Sequence, residues 1–232
     1  MSNTGCRIYT KINRPDKKLI ELFKGMPVAN IADNMGRIAC VDKGLVPFNR
    51  TRLLGTAFTV KAPQGDNLMF HKALDMAAPG DILVIAGFGC EDRAQCGEIM
   101  IKYAISKGIG GFVIDGAVRD AEYIADEAEF PVYARSVQPN GPYKNGPGEI
   151  NVPVAAGGIV IFPGDILVGD ADGLVVIRPQ EAEELAAKTR RTMDIEQKAF
   201  NDIAAGVYDR KWVDNNLANI KCEIIDTTWD GK

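Results

Sequence analysis

The stretch Pro79-Gly80-Asp81-Ile82-Leu83-Val84-Ile85-Ala86-Gly87-Phe88-Gly89-Cys90-Glu91-Asp92, continued through Gly97-Glu98-Ile99-Met100 to Val113-Ile114-Asp115-Gly116-Ala117-Val118-Arg119-Asp120, decides the fold. A Pro-Gly turn feeds the apolar run Ile82 to Ala86, which reads as a buried strand. A helix is expected from about Asp92 to Lys107, with Cys96, Ile99, Met100 and Tyr103 facing inward and Gly108 ending it. Phe112, Val113 and Ile114 form the next strand. Strand, helix and strand in about 30 residues make a βαβ unit, whose strands lie parallel because the helix carries the chain back to the starting edge.

Working outward, Pro15 starts a short helix that Gly25 ends, and a second helix runs from Pro27 to Gly36. Leu53 to Val60 alternates as a strand, and a helix follows from Asp66. Beyond Asp120, a helix to Ala128 and an extended segment Val132 to Arg135 precede the loop Gln138 to Gly148, whose length and Pro/Gly content mark it as a candidate functional loop. Ile150 to Pro179 is β-rich and repeats the hexapeptide of Pro79 to Val84 at Pro163 to Val168; reuse of one turn solution is the simpler reading. Pro179 opens a charged helix through Ala205, with Leu185, Met193, Phe200 and Ile203 as its apolar contacts. The chain is read as a lead at 1–26, a core at 27–180, and a C-terminal helix and tail at 181–232 that belongs to the same domain or to an oligomer contact.

Composition excludes several chemistries. The 232 residues hold 27 Lys plus Arg and 31 Asp plus Glu, a formal charge of −4, with a single histidine and five cysteines. An acidic chain without basic blocks is a poor match for nucleic acid or anionic membrane. His71 alone cannot build a His-rich zinc site or an HExxH helix. Cys6, Cys40, Cys90, Cys96 and Cys222 lack CxxC spacing, so reduced thiols are expected. Met1 to Lys11 carries no apolar core, and the stretch Val152 to Gly164 is interrupted by Gly and Pro, so a cytoplasmic protein with no membrane span is expected.

Two constellations could carry chemistry. Gly87-Phe88-Gly89-Cys90-Glu91-Asp92 follows a strand and is expected to open a helix, as a dinucleotide loop does. Asp92 replaces the third glycine, however, and Glu91 adds charge that repels a pyrophosphate. Gly97-Glu98-Ile99-Met100 together with Arg119-Asp120 is the stronger candidate. Arg119 and Asp120 lie just past a strand's carboxyl end, where α/β sheets bind ligands. Arg can hold a carboxylate or enolate through its planar fork, and Asp can anchor Mg²⁺ or Mn²⁺. The plain alternatives are that Asp120 caps its own helix, Arg119 makes a surface ion pair, and Glu98 is a solvated helix residue.

Met35-Gly36-Arg37, Gly97 to Met100, Val113 to Asp120, and Val152-Pro153-Val154 leading to Gly169-Asp170-Ala171-Asp172-Gly173, in that order, resemble the RraA-like family. Its enzymatic branch is the class II 4-hydroxy-4-methyl-2-oxoglutarate / 4-carboxy-4-hydroxy-2-oxoadipate aldolase. The resemblance spans roughly residues 27 to 180. It implies an α/β single domain with a swivelling-domain-like αββαβ core and a C-terminal helix, assembled as a homotrimer or hexamer. It also implies that the Gly97 to Met100 turn contacts pyruvate through backbone amides, that Arg119 binds its oxygens, that Asp120 is the ligand of a divalent cation, Mg²⁺ or Mn²⁺, and that Glu98 orients water. One departure stands out: where the aldolases carry an acid three residues after the metal-binding Asp, this chain has Tyr123, and the adjacent Glu122 points about 100° away around a helix.

The implied reaction is cleavage of a 4-hydroxy-2-oxo acid to pyruvate, with oxaloacetate decarboxylation as a second activity through the same enolate. A lysine Schiff base is the competing aldolase strategy, and no lysine lies in these motifs. The family also contains non-catalytic, protein-binding regulators of an endoribonuclease. Asp120 favours the enzyme, and Tyr123 gives the regulator some support.

Overall fold

The computed structural model describes residues 3–231. These fall into two compact units, divided between Arg190 and Arg191. In chain order the elements are β1 (Cys6–Ile8), α1 (Lys17–Glu21), α2 (Val28–Asp33), β2 (Val46–Pro47), β3 (Leu53–Lys61), α3 (Leu68–Met76), β4 (Asp81–Cys96), α4 (Glu98–Ser106) and β5 (Gly111–Val118). There follow α5 (Ala121–Asp126), β6 (Val132–Val137), β7 (Gly148–Ile150), β8 (Val154–Ala156), β9 (Ile159–Ile161), β10 (Ile166–Asp170), β11 (Gly173–Ile177), α6 (Ala182–Ala204) and α7 (Lys211–Asn219).

The α/β expectation is met in the first unit. β3, β4, β5 and β6 run parallel, joined by α3, α4 and α5. The other edge of β3 is shared: β10 pairs antiparallel with its first half and β7 with its last two residues. One face of the sheet packs Phe58, Leu83, Ile85, Phe112 and Ile114 against Phe70, Leu74, Met100 and Ile101 of α3 and α4. The opposite face packs Ala57, Val84, Val113 and Tyr133 against Val154, Leu167, Leu174 and Val176. Burial on both faces explains why the central strands read as continuous apolar runs.

The decisive stretch folds differently from expectation in one respect. β4 does not stop at Ala86 but continues to Cys96, with register shifts at three places against β5. Phe88 and Gly89 both have positive φ there, so Gly87 to Asp92 is a bulged strand and opens no helix. With α4 starting at Glu98 rather than Asp92, its inward face shifts to Met100, Ile101 and Ala104. Ile99 and Tyr103, expected inside, are exposed at 81% and 42%.

The repeated hexapeptides adopt one turn twice. Gly80 and Gly164 both have positive φ, which Gly adopts without a Cβ penalty. Asp81 and Asp165 are buried, and each Oδ2 accepts the N–H three residues back, from Ala78 at 2.8 Å and Phe162 at 2.7 Å. Arg14 binds Asp81 through two bonds of 2.9 and 2.6 Å, and Arg178 pairs with Asp165. Both turns are fully satisfied and launch neighbours of β3.

The second unit contains the rest of α6 and α7. Phe200 and Ile203, expected as apolar contacts, are more than half exposed, as are Ile195 and Trp212, whereas Leu185 near the start of α6 is buried. Among the described residues no helix is long and apolar enough to cross a membrane.

Candidate active site

β4 and β5 end side by side, with Cys96 opposite Val118, and each passes its chain to a helix. Gly97-Glu98 and Arg119-Asp120 therefore meet at the carboxyl ends of two parallel strands, the expected ligand position. The Arg119 N–H donates to the Cys96 carbonyl at 3.0 Å, fixing the alignment one residue past the strands.

Asp120 is left-handed, with φ 59° and ψ 45°. It stands at the N-cap position of α5 but makes no side-chain bond to that helix. Its Oδ2 instead accepts the Glu98 N–H at 2.8 Å, closing the open first turn of the neighbouring α4. A capping role for its own helix is thereby ruled out. Arg119 Nε lies 3.9 Å from the same oxygen, and both side chains are a little over two-fifths exposed.

Gly97 holds this cluster together by having no side chain. A Cβ there would lie 2.3 Å from Asp120 Oδ2 and 2.9 Å from Arg119 Cγ. The φ of −157° is ordinary extended backbone, so the demand is for space. The Ile99 N–H lies in the first turn of α4, where no carbonyl one turn back can accept it.

These residues border a cavity of about 100 Å³, lined by Gly97, Ile99, Met100 and Arg119 together with residues the sequence reading passed over: Asn67, His71, Gln95 and Lys144. Asn67 and His71 share one face at i and i+4 where α3 begins, and that spacing was the available signal. Lys144 comes from the loop after Gln138, outside every motif. The loop is buckled down at several points. Asp66 Oδ2 accepts the N–H groups of Asn145 (2.6 Å) and Gly146 (3.0 Å). Arg93 donates to the Gly141 carbonyl at 2.9 Å and to Tyr143 Oη at 2.8 Å, with its guanidinium 4.1 Å over the Tyr143 ring.

Partial burial and the neighbouring Lys144 lower the pKa of His71, so it is neutral at pH 7. Burial, reinforced by Asp120, raises that of Cys96, so its thiol stays protonated and is no nucleophile. The Glu98 carboxylate pairs with Lys102 one turn along α4. Lys102 Nζ lies 5.0 Å from the centre of the Tyr123 ring, and the Tyr123 hydroxyl donates to Glu127 at 3.0 Å. Tyr123 is thus committed away from Asp120 and supplies no substitute for the absent acid. Among the described residues no group of three or more His, Cys, Asp and Glu gathers as a cation site. Asp120 alone remains, with its bonds confined to Oδ2. One carboxylate with substrate oxygens and waters is a usual Mg²⁺ arrangement, so the donor set fits a divalent cation shared with a chelating substrate.

Residues 28–176 match the RraA-like family, described as Aldolase/RraA. The chain belongs to the RraA-like family. A relative in Halalkalibacterium halodurans, named "Putative 4-hydroxy-4-methyl-2-oxoglutarate aldolase", is 35% identical over 79% of this chain and 89% of its own length. Among solved structures, an uncharacterized protein from Pseudomonas syringae pv. tomato superposes with a TM-score of 0.74 at 27% identity, covering 84% of this chain and 96% of that one. Streptomyces coelicolor RraAS2, described as an unusual member of the RNase ES inhibitor RraA protein family, gives 0.72 at 26% identity over 81% and 98%. The RraA-like match covers β3 to β6 and both halves of the site described above.

Proposed function

We propose that this RraA-like protein is a divalent-metal-dependent pyruvate aldolase. It cleaves 4-hydroxy-2-oxo acids such as 4-hydroxy-4-methyl-2-oxoglutarate and decarboxylates oxaloacetate as a second activity. The observation that carries the reading is the Gly97, Arg119 and Asp120 cluster: an anion clamp and a cation-competent carboxylate packed too tightly for any Cβ between them, at the edge of a small cavity.

Asp120 would hold Mg²⁺ or Mn²⁺, and the bound ion would supply the electron sink that lets the bond beyond C3 break. Arg119 grips the pyruvoyl oxygens through its planar fork and stabilises the negative charge that grows on them as the enolate forms. The Ile99 N–H adds a neutral donor to the same end. Lys144 offers a second cation to the distal carboxylate of a dicarboxylic substrate. Glu98, held by Lys102, positions the water that takes the C4 hydroxyl proton. The buckled loop carrying Lys144 fixes the far wall, so substrate is oriented before reaction. A homotrimer or hexamer would bring further walls to the site.

A second reading, a non-catalytic protein-binding regulator of an endoribonuclease, draws support from the likeness to RraAS2 and from the lone acid beside Tyr123. The deciding experiment incubates the purified protein with Mg²⁺ or Mn²⁺ and either 4-hydroxy-4-methyl-2-oxoglutarate or oxaloacetate, following pyruvate. Pyruvate release that EDTA and Asp120→Ala abolish supports the aldolase. No turnover of either compound and no affinity for either cation would sink it in favour of the regulator.

A further inference from the structure

Gln95, one of the residues that line the cavity, carries an amide without a partner. Gln95 is 0% exposed, and neither its Oε1 nor its Nε2 finds a hydrogen-bond partner. Asn67, beside it at 2% exposed, donates Nδ2–H to the Gln95 main-chain carbonyl at 2.9 Å, which sets the orientation of its amide and leaves Oδ1 without a partner as well. Native proteins pair nearly all such buried groups with protein, water or ligand.

The space around the amide is built into the sheet. Register shifts between Cys90, Ala94 and Cys96 displace this part of β4. A Cβ on Gly87 would lie 2.1 Å from Gln95 Nε2, and one on Gly116 of β5 would lie 3.4 Å from it. Two adjacent strands therefore give up side chains where the amide lies. A leucine or methionine would fill that volume with no polar group to satisfy, so packing gives no reason for glutamine.

The donor and acceptor count selects the ligand group. Gln95 Oε1 and Asn67 Oδ1 accept, Gln95 Nε2 donates, and exchanging the two ends of Gln95 still leaves one of each on it. A carboxylate or phosphate accepts only and would face these oxygens lone pair to lone pair; its place is with Arg119 and Lys144. A hydroxyl both donates and accepts. Resting on the aldolase reading, we propose that Gln95 with Asn67 forms a subsite that reads the C4 hydroxyl of the 4-hydroxy-2-oxo acid. It sets the preference for hydroxylated substrates over acids of similar charge that lack the group.

The test compares kcat/KM for 4-hydroxy-4-methyl-2-oxoglutarate with that for oxaloacetate, both read as pyruvate, in the metal-loaded wild type, Gln95→Met and Gly87→Ala. Gln95→Met keeps the volume and removes the hydrogen bonds. Gly87→Ala keeps the amide and drives it from its slot, so the idea stands or falls even where the first variant does not fold. The ratio of the two values is expected to fall by about a hundredfold in Gln95→Met, because a site built to bond a hydroxyl discriminates strongly for it, and to fall in Gly87→Ala too. A ratio that stays constant in the folded variants, even with both activities reduced together, overturns the assignment. Wild type that releases pyruvate from neither substrate instead defeats the aldolase reading. The subsite is then judged by calorimetry with 4-hydroxy-2-oxoglutarate and 2-oxoglutarate: equal affinities overturn it, and a preference of roughly tenfold that Gln95→Met removes supports it.

Discussion

Gly97→Ala isolates the packing that assembles the site. Backbone conformation does not oppose alanine at φ −157°, so the perturbation is one methyl group. That methyl would stand 2.3 Å from Asp120 Oδ2, where ordinary contact begins at 3.4 Å, so the carboxylate must retreat by 3.4 − 2.3 = 1.1 Å or Arg119 must turn away. A displacement of about 1 Å in a positioned catalytic group costs about a hundredfold in rate. Stability should hardly register it. Losing the Glu98 N–H bond to a carboxylate two-fifths exposed removes about 1 kcal/mol, while Gly→Ala returns about 0.4–1 kcal/mol by restricting the unfolded chain. The expected result is a melting temperature within about 3 °C of wild type, with metal-dependent pyruvate release lowered about a hundredfold. Coupled spectrophotometric detection of pyruvate and a thermal melt on the same sample suffice. Wild-type turnover in Gly97→Ala would refute the reasoning, since an Asp120 that can move this far is not held for chemistry; a large loss of stability would refute it differently, by making Gly97 a folding residue.

Asp120→Asn keeps an acceptor for the Glu98 N–H and a residue tolerant of positive φ, but removes the charge; pyruvate release should drop by roughly a hundredfold or more with little change in melting temperature. Arg14→Met leaves Asp81 buried and without its cation, and urea unfolding should show a loss of about 3 kcal/mol. The pKa of His71 in the fold lies below its unfolded value, so the unfolded chain binds the proton first as pH falls. Thermal melts should therefore show wild type losing stability from about pH 6.5 downward, and His71→Gln losing less over the same interval. Because His71 is only partly buried, that difference is small, and a reversed sign would contradict a neutral imidazole in the fold.

The parallel core was legible because its strands are buried on both faces and read as unbroken apolar runs punctuated by Pro-Gly and Gly. The course of β4 was not. Gly87 to Gln95 combines glycines with charged residues, which suits a loop or a helix start in one dimension; only pairing with Cys90 opposite Gly116 and Ala94 opposite Ala117 makes it a strand. That error moved the start of α4 and turned Ile99 and Tyr103 the wrong way. At the site, Arg119 and Asp120 could be located from the strand end they follow. Asn67 left only its i, i+4 spacing with His71 as a local signal, and Gln95 and Lys144 left none, because they reach the cavity through the bulged β4 and a distant loop.

The distribution of satisfied and unsatisfied groups separates the two ends of the sheet. At the turns that launch β4 and β10, each buried aspartate has an arginine and a backbone N–H, and each positive φ falls on glycine. Those are the features of a turn shaped for stability. Where β4 and β5 finish, the choices are reversed. A non-glycine residue, Asp120, is left-handed; Gly97 leaves a gap that its neighbours fill with charge; and Gln95 buries an amide with no protein partner. The first and the last could each be relieved by one substitution, to Asn or Gly at 120 and to Leu at 95, at no cost to the fold that the packing reveals. Local penalties are tolerated where the surrounding structure over-determines them for another purpose. Their concentration around one cavity at the carboxyl ends of parallel strands is the physical reason to look there, and not to the satisfied turns, for the chemistry of this chain.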